Sequence, residues 1–481
     1  MWRIEIPSRF SSPDVDLFLK DINRYGFFEK RPLVVTRAPG RLDLMGGIAD
    51  YSGSLVMQLS LAAAVTVAAQ ADQRPVFRAK SLLVKELEGR DEVEFFLESL
   101  LAFRGPGAGE KARELLTKDP STRWAAYAAG ALVILQREIG ASFSHGVRLL
   151  IHSNVPPGKG ISSSAALEVS VMRALCALFG ISLDGPQTAR LCQMVENEVV
   201  GAPCGIMDQM TAACGEKDRL LRLLCQPDKL KGYVPLPPGT EVWGIDSGIR
   251  HEVSGADYGS VRTGAFMGYR IIAHADGLPV KELEAGHVSI DDSAYKGYLA
   301  NISVSRWENF YRERVPDTMS GGEFLSRFQG ITDPATSVDP EKIYAVRSPT
   351  AHPIYEHQRV KNFDGIAAQR PFQDEHLDAL GELMYQSHES YGRCGLGSDG
   401  TDMLVDLVKK AGKNKGLFGA KITGGGSGGT VAVLGRRGSR QAVEEVVRRY
   451  RRQSGRSSMI VEGSSPGAVP FGVVKMIPER P

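Results

Sequence analysis

The segment VPPGKGISSSAALE, residues 155–168, places a glycine-rich turn directly before a predicted helix at 162–179. The backbone N–H groups at such a turn, together with the positive end of the helix dipole, form a site for an anion. A serine-capped helix is the simpler interpretation of the segment. Three successive serines exceed what capping needs, so we interpret it as a loop that binds phosphate.

This candidate phosphate loop is not a Walker A motif, because the spacing G-x-x-x-x-G-K-[ST] is absent. Its small side chains would let a phosphate group approach the backbone closely, and its serine hydroxyls could bind magnesium. The residues expected to contact the bound phosphate are Pro157, Gly158, Lys159, Gly160, Ile161, Ser162, Ser163, Ser164 and Ala165.

Upstream, the segment APGRLDLMGGIADY, residues 38–51, follows a predicted strand at 33–37. We expect Pro39-Gly40 to break that strand, because proline and glycine interrupt regular structure. The glycine-rich turn then brings Arg41 and one or two aspartates into a loop. Taken alone, Arg41 could equally form an ordinary surface ion pair.

Downstream, the segment ENEVVGAPCGIMDQ, residues 196–209, carries two acidic residues at the end of a predicted helix and a third after a Pro/Gly turn. A kinase needs one carboxylate at the nucleophile and another on the metal. Twelve positions separate Glu196 from Asp208, so the turn between them could direct both carboxylates into one cleft.

A second glycine-rich segment, GAKITGGGSGGT, lies at residues 419–430. Glycine lets the backbone come close to a ligand or to another loop. A dinucleotide-binding loop is disfavoured, because such a loop leads into a helix and this one leads into the strand-like run 430–434. The candidate residues of this glycine motif are Gly424, Gly425, Gly426 and Ser427.

The whole chain has the composition of a globular protein with room for a cleft. Its 481 residues suit two or three domains, and its net charge of +2 provides no global field to hold nucleic acid or an anionic membrane. The six cysteines form no C-x-x-C pair, which favours reduced thiols and a cytoplasmic location. The start of the chain lacks a signal-peptide layout, and no apolar run is long enough to span a bilayer.

In their order along the chain, the four segments together resemble the GHMP kinase superfamily, and within it the galactokinase branch. The resemblance covers residues 30–475 and implies an α/β and α+β fold. It implies an N-terminal domain of the ribosomal-protein type at 1–235, and a ferredoxin-like C-terminal domain at 240–481. ATP, Mg²⁺ and a small-molecule sugar would meet between the domains; oligomeric state is left open.

The resemblance also implies roles for single residues by their motif positions. Asp208 corresponds to the catalytic aspartate beside the sugar hydroxyl, and Arg41 to the arginine that works with it. Whether the aspartate acts as a full general base or as an electrostatic anchor stays open. The implied magnesium ligands are Ser164 and Glu196, and the implied sugar contacts are Asp50, Gly205 and Tyr258.

The sequence departs from galactokinases at two signature positions, where the family's Glu and His are replaced by Gly47 and Ile48. In galactokinases these positions help to recognise the hydroxymethyl arm of the sugar. L-Arabinose in its pyranose form has the ring hydroxyl pattern of galactose but lacks that arm. Polar groups without a partner would cost about 1–3 kcal/mol each, so an arabinose site should lack them.

Further segments, among them 246–251, 255–262 and 352–356, resemble the kinase part of the plant-type L-arabinokinases. Those proteins carry a glycosyltransferase-like segment ahead of the kinase, for which we expect no room in this chain. The expected activity is phosphorylation of the anomeric hydroxyl of L-arabinose by ATP. The alternatives are D-galactose, then galacturonate read by a cation such as Arg250, or a regulator that keeps the fold without turnover.

Overall fold

A computed structural model describes residues 2–10, 12–82, 89–105, 107–250, 256–283 and 286–479. His251 and Gly255, which belong to the segments that resemble arabinokinases, lie outside these described residues. So do the last two positions of the predicted second domain. The described cysteines are all buried free thiols. None of the described helices combines the length and the apolar character needed to cross a membrane.

The described strands, in chain order, are β1 (Trp2–Ile6), β2 (Leu33–Met45), β3 (Leu55–Asp72), β4 (Val76–Ser81), β5 (Glu92–Phe96), β6 (Gly146–Ser153), β7 (Arg219–Leu224), β8 (Lys229–Pro235), β9 (Thr240–Asp246), β10 (Val280–Glu282), β11 (Gly286–Ile290), β12 (Thr318–Ser320), β13 (Gly330–Ile331), β14 (Ile343–Ala345), β15 (Leu417–Ile422), β16 (Thr430–Arg436), β17 (Ile460–Glu462) and β18 (Val474–Pro478).

The described α-helices are α1 (Pro13–Asp21), α2 (Leu97–Leu101), α3 (Ala108–Thr117), α4 (Ala126–Ile139), α5 (Ser163–Phe179), α6 (Gly185–Met194), α7 (Met207–Cys214), α8 (Ala256–Ala275), α9 (Val304–Arg306), α10 (Gly321–Phe328), α11 (Arg347–Ala367), α12 (Asp374–Arg393), α13 (Asp399–Ala411), α14 (Arg440–Ser454) and α15 (Ala468–Phe471).

The larger sheet runs in the order β1-β18-β2-β3-β6-β4-β5, and the hairpin of β7 and β8 joins it at β3. The long β3 makes this branching possible, because its first residues pair with β7 and its later residues with β6. The small and β-branched residues of β3 pack against the apolar helix α5, which packs in turn against α4. The resulting core supports the loops at the ends of β2 and β6.

The strand β2 is longer than the sequence suggests. Pro39-Gly40 was expected to break it, but β2 continues to Met45 and stays paired with β3. The irregularity is absorbed by register shifts between Pro39 and Arg41 and between Asp43 and Met45. Such bulges keep a strand in its sheet while they redirect its side chains, so the prediction of a break was wrong.

A second, four-stranded sheet has the order β15-β16-β9-β17 and carries α13 and α14 on its surface. The remaining described strands form two small sheets, β10-β11-β13 and β12-β14. A further cluster of buried residues joins α8, α11 and the segment around 299–346. The chain then returns to the larger sheet, where β18 inserts between β1 and β2. The domain division at 235–240 stays a prediction. β18, the last strand of the predicted second domain, pairs within the sheet of the first domain.

A buried ion pair joins the nine-stranded sheet to the four-stranded sheet. Lys421 Nζ on β15 lies 2.6 Å from Asp43 Oδ2 on β2, and both side chains are fully buried. Gln58 Nε2 donates to the other carboxylate oxygen of Asp43 at 2.7 Å. Lys421 also donates to the Ile422 carbonyl at 2.7 Å. This pair fixes β15, and therefore the glycine motif that follows it, beside Arg41.

Candidate active site

A cleft lies where the end of β2, the start of α5, the start of α7 and the glycine motif after β15 converge. Most of the residues that the sequence analysis selected contribute to its wall. The lining residues are Arg41, Ile48, Asp50, Gly158, Gly160, Ser162, Ser163, Ser164, Glu196, Pro203, Cys204, Gly205, Met207, Asp208, Tyr258, Gly424 and Gly425.

Asp208 and Arg41 form a bidentate pair in this cleft. Arg41 Nε and Nη2 donate to the two Asp208 carboxylate oxygens, each at 2.8 Å. Arg41 Nη1 donates to the Gly160 carbonyl at 2.7 Å, and the Ser162 hydroxyl donates to Asp208 Oδ2. Asp208 also lies in the first turn of α7, where the helix dipole favours a negative charge. The carboxylate is thereby held in one orientation.

The candidate phosphate loop leads into α5, as the sequence predicts. Gly158 and Gly160 both have a φ of +68°, and Ser162 has a φ of +61° immediately before the helix begins at Ser163. The left-handed backbone turns the chain tightly enough to direct the first N–H groups of α5 into the cleft. The start of α5 is therefore arranged as an anion site.

The glycine motif packs against this phosphate loop. A Cβ atom at Gly424 would lie 2.7 Å from the Gly160 carbonyl oxygen, and one at Gly429 would lie 2.8 Å from the Lys159 carbonyl oxygen. Thr430 Oγ1 donates to that Lys159 carbonyl at 2.8 Å. The glycines are therefore needed for contact between two loops, one of the two roles that the sequence left open.

Asp50 and Gly205 meet on the opposite wall. A Cβ atom at Gly205 would lie 1.7 Å from Asp50 Oδ2, so only glycine permits this approach. Burial, and then the nearby charge of Asp208, raise the pKa of Asp50 to about 6, while Arg262 acts in the opposite direction. Tyr258 on α8 lines the same wall. The wall thus offers hydrogen-bonding groups beside an aromatic ring, which suits a sugar.

Glu196 lies deeper in the cleft, in a π-helical turn at Val195–Val200 that continues α6. Such turns recur at functional sites. Burial raises the pKa of Glu196 to about 7, although the Ser164 hydroxyl donates to it and opposes the shift. Gln209 Nε2 also donates to Glu196 at 2.6 Å. One hydroxyl and one carboxylate without a cationic partner form a donor set that fits Mg²⁺.

Within the described ranges, no group of three or more His, Cys, Asp or Glu side chains is placed to hold a metal ion. Magnesium in nucleotide sites does not need such a group. Mg²⁺ there keeps its waters and takes only one or two protein oxygens, since substrate phosphates supply the others. Ser164 and Glu196 could therefore hold the ion only together with a nucleotide.

Several residues selected from the sequence do not reach the cleft wall. Lys159 instead pairs with Asp246 at 2.8 Å. Gly47 lies behind the wall, where a Cβ atom would be 1.8 Å from Tyr391 Oη. Arg250, considered for a uronate, is exposed and is not among the lining residues. The other selected residues that do not line the cleft are Pro157, Ile161, Ala165, Gly426 and Ser427.

Three lining residues were missed by the sequence analysis, namely Pro203, Cys204 and Met207. All three belong to the segment GAPCGIMD, which ends at Asp208. The sequence analysis identified this segment but did not select these three residues within it. Among the described residues of the wall, Arg41 is the one cationic side chain, and Asp208 already pairs with it.

Comparison with protein families gives three matches. Residues 26–71 match the galactokinase galactose-binding signature, residues 126–216 match the N-terminal domain of GHMP kinases, and residues 368–453 match the GHMP kinase C-terminal domain. These ranges contain the Arg41 segment, the phosphate loop with Asp208, and the second glycine motif respectively.

Two curated relatives cover most of the chain. An L-arabinokinase from Arabidopsis thaliana is 44% identical over 92% of the chain, which spans only 47% of that relative's length. A galactokinase from Chloroflexus aggregans is 31% identical, with 85% of each sequence covered. The chain therefore spans about half of the first relative and most of the second.

Solved structures share the same fold. The galactokinase of Lactococcus lactis, crystallised with galactose, aligns with a TM-score of 0.69 over 94% of this chain and 98% of its own, at 21% identity. A mevalonate kinase from Methanococcus jannaschii aligns with a TM-score of 0.54 at 14% identity. These alignments establish the two-domain architecture.

Proposed function

Because this chain belongs to the galactokinase branch of the GHMP kinase family and is therefore an ATP-dependent sugar kinase, we propose that its acceptor is L-arabinose. The product would be L-arabinose 1-phosphate. The observation that carries this choice is the presence of Ile48 in the cleft wall, in place of the polar signature residue of galactokinases. The 44% identity to an L-arabinokinase supports it.

Ile48 is only 1% exposed and packs in one cluster with Tyr258. An apolar side chain at this point offers no hydrogen bond to a hydroxymethyl arm. Asp50 and Tyr258 remain to hold the ring hydroxyls that arabinose and galactose share. A uronate is disfavoured, because the single cation among the described lining residues, Arg41, is paired with Asp208.

In the proposed mechanism Asp208 receives or orients the proton of the anomeric hydroxyl. A carboxylate has about four acceptor positions, and Arg41 and Ser162 fill three of them. The remaining position, on Oδ1, is available to the sugar. Arg41 fixes the carboxylate and places positive charge beside the transferring group.

The N–H groups at the start of α5 would hold the ATP phosphates, with Ser164 and Glu196 holding Mg²⁺ against them. When bound, the metal offsets negative charge that develops during phosphoryl transfer. Because Gly424 lets the glycine motif contact Gly160 directly, the phosphate loop is supported from the second sheet. The cleft thus positions donor and acceptor together, which lowers the entropic part of the barrier.

We expect Ser164→Ala and Glu196→Ala each to raise the magnesium concentration for half-maximal rate by about tenfold or more. Even outer partners of metal ligands are commonly worth 10–100-fold in affinity. The matched control is Glu198→Ala, since Glu198 lies in the same π-helical turn but pairs with Arg137. An unchanged titration for Glu196→Ala, with a shifted one for Glu198→Ala, would transfer the assignment to Glu198.

The same titration should depend on pH. Magnesium binds the ionised carboxylate, and the raised pKa of about 7 leaves Glu196 largely protonated at pH 6. The magnesium requirement should therefore fall between pH 6 and pH 8 in the wild type. It should change much less over that interval in Glu196→Ala, and an equal pH dependence in both proteins would contradict the assignment.

For the acceptor, we expect kcat/KM to be about 10²-fold higher for L-arabinose than for D-galactose, because an apolar wall gives only a moderate penalty to an extra hydroxyl. Steady-state rates of ATP consumption with both sugars and with D-galacturonate measure this. Equal efficiency with galactose would favour the galactokinase alternative. No consumption with any of the three sugars would favour a regulator.

The double variant Gly47→Glu with Ile48→His would introduce the galactokinase residues and should shift preference toward galactose. Its result would be hard to interpret, because the loop has no space for the new side chain at position 47. Ile48 has a left-handed φ of +49°, which histidine adopts more readily than isoleucine, so the backbone at position 48 is not the obstacle. Gly47 is limited by space, because a Cβ atom there would collide with Tyr391 Oη and Asp43 Oδ2. The wild-type comparison of sugars is therefore the decisive one.

A further inference from the structure

Ile48 holds an unusual backbone conformation at the wall of the sugar cleft. Its φ of +49° lies in the left-handed region, which β-branched residues adopt rarely. A residue stays in such a conformation only when its surroundings determine it, and such residues gather at functional sites. Ile48 is nonetheless 1% exposed and lines the cleft. Something outside the loop must therefore hold it.

The backbone directly before Ile48 is held by α11. His352 Nε2 donates to the Gly47 carbonyl at 2.9 Å, and its Nδ1 accepts from the Ser390 hydroxyl at 2.8 Å. Burial lowers the pKa of His352 to about 4, so the ring is neutral. Because the Gly47 carbonyl can only accept a hydrogen bond, the ring proton is assigned to Nε2. One turn further along α11, Glu356 Oε1 accepts from the Gly46 N–H at 3.0 Å.

Tyr391 on α12 fills the space beside Gly47. Its ring packs edge-on against His352, with centroids 5.5 Å apart, and its side chain is fully buried. Its hydroxyl donates to the Gly424 carbonyl at 2.8 Å. A Cβ atom at Gly47 would lie 1.8 Å from that hydroxyl oxygen. Tyr391 thus occupies the volume that a side chain at position 47 would need.

We propose that His352, Glu356 and Tyr391 are positioning residues for substrate choice, which act by holding Gly46-Gly47 so that Ile48 faces the cleft in its left-handed conformation. This inference rests on the proposed function and assigns its selectivity to α11 and α12. Ile48 would favour a sugar that lacks the hydroxymethyl arm. The position of its side chain would be set by α11 and α12, two helices that do not line the cleft.

A purely structural role for these three residues makes a different prediction. If they only connect the helices to β2, their variants should lose stability while the relative efficiency with the two sugars stays the same. If they position Ile48, their variants should change that relative efficiency. Their effect should also vanish once the Ile48 side chain is absent, because effects that act through one residue are not additive.

The test is a double-variant cycle in the full chain. Ile48→Gly removes the side chain and tolerates the left-handed backbone, so galactose efficiency relative to arabinose should rise on the order of tenfold. Tyr391→Phe and His352→Gln should raise the same ratio severalfold. Either change added to Ile48→Gly should have no further effect on the ratio. Tyr311→Phe is the matched control, since Tyr311 is fully buried and its hydroxyl donates to Asp276 away from the cleft.

An unchanged ratio in Tyr391→Phe and His352→Gln, or full additivity with Ile48→Gly, would overturn the proposal. If His352→Gln does not fold, Tyr391→Phe alone completes the cycle. If a variant lacks turnover, the preference between the two sugars is measured from their dissociation constants instead. Failure of the proposed function is a separate outcome, because the wild type would then prefer galactose. Failure of this inference would instead leave the efficiency with galactose relative to arabinose unchanged in the variants.

Discussion

Asp208→Asn is expected to lower turnover by about 10²–10⁴-fold while ATP binding stays near the wild-type level. The amide neither accepts the proton of the sugar hydroxyl nor carries the charge that Arg41 pairs with at 2.8 Å. ATP binding should survive, because the nucleotide is assigned to the start of α5. Single-turnover rates with saturating sugar, together with calorimetric titration of an ATP analogue, measure the two effects separately.

Asp72→Asn is the matched control for this variant. Asp72 is a buried carboxylate that pairs with Arg148 and Arg74 at the far end of β3, outside the cleft. The control should lose stability and keep its turnover number. Near-normal turnover by purified Asp208→Asn would remove Asp208 from the chemistry and leave the cleft without its proposed proton acceptor.

Lys421→Met should lower the free energy of unfolding by about 3–5 kcal/mol, which is the cost of leaving a buried charge without its partner. Asp43 would keep only the amide of Gln58 and a distant Tyr391 hydroxyl as donors. Urea denaturation followed by the fluorescence of the buried Trp243 and Trp307 measures the change.

The double variant Asp43→Leu with Lys421→Met should recover most of that loss, because an apolar pair of similar volume carries no desolvation penalty. Arg327→Ala serves as control, since its exposed pair with Glu323 should contribute less than about 1 kcal/mol. A loss below 1 kcal/mol in Lys421→Met would show that this pair does not hold the two sheets together.

The resemblance of the four segments to the GHMP kinases predicts the two-domain architecture and a cleft between the domains. Glycines, serines and prolines at fixed spacing predict only the local backbone geometry of each segment. The helix expected at 162–179 is present as α5, and Arg41, Ser164, Glu196 and Asp208 line one cleft. The segments therefore indicate which residues belong to the site, and the resemblance to the family indicates that these residues meet in one cleft.

Contacts between distant parts of the chain escaped that reasoning. Asp43 and Lys421 were both inside quoted segments, yet nothing in either segment indicates that they pair. His352 and Tyr391 reach Gly47 from helices whose local pattern carries no signal for it. The continuation of β2 through Pro39-Gly40 depends on pairing with β3, which overrides the local tendency to break.

The insertion of β18 between β1 and β2 has a consequence for synthesis on the ribosome. The first strands emerge early, but the strand that separates them is translated after the whole second sheet. Until then, the edge of β2 presents unpaired N–H and C=O groups, which are a template for pairing with other nascent chains. The yield of folded protein should therefore depend on the time between translation of residue 45 and residue 474. Slower translation of this interval prolongs the exposure of the unpaired β2 edge and should lower the yield.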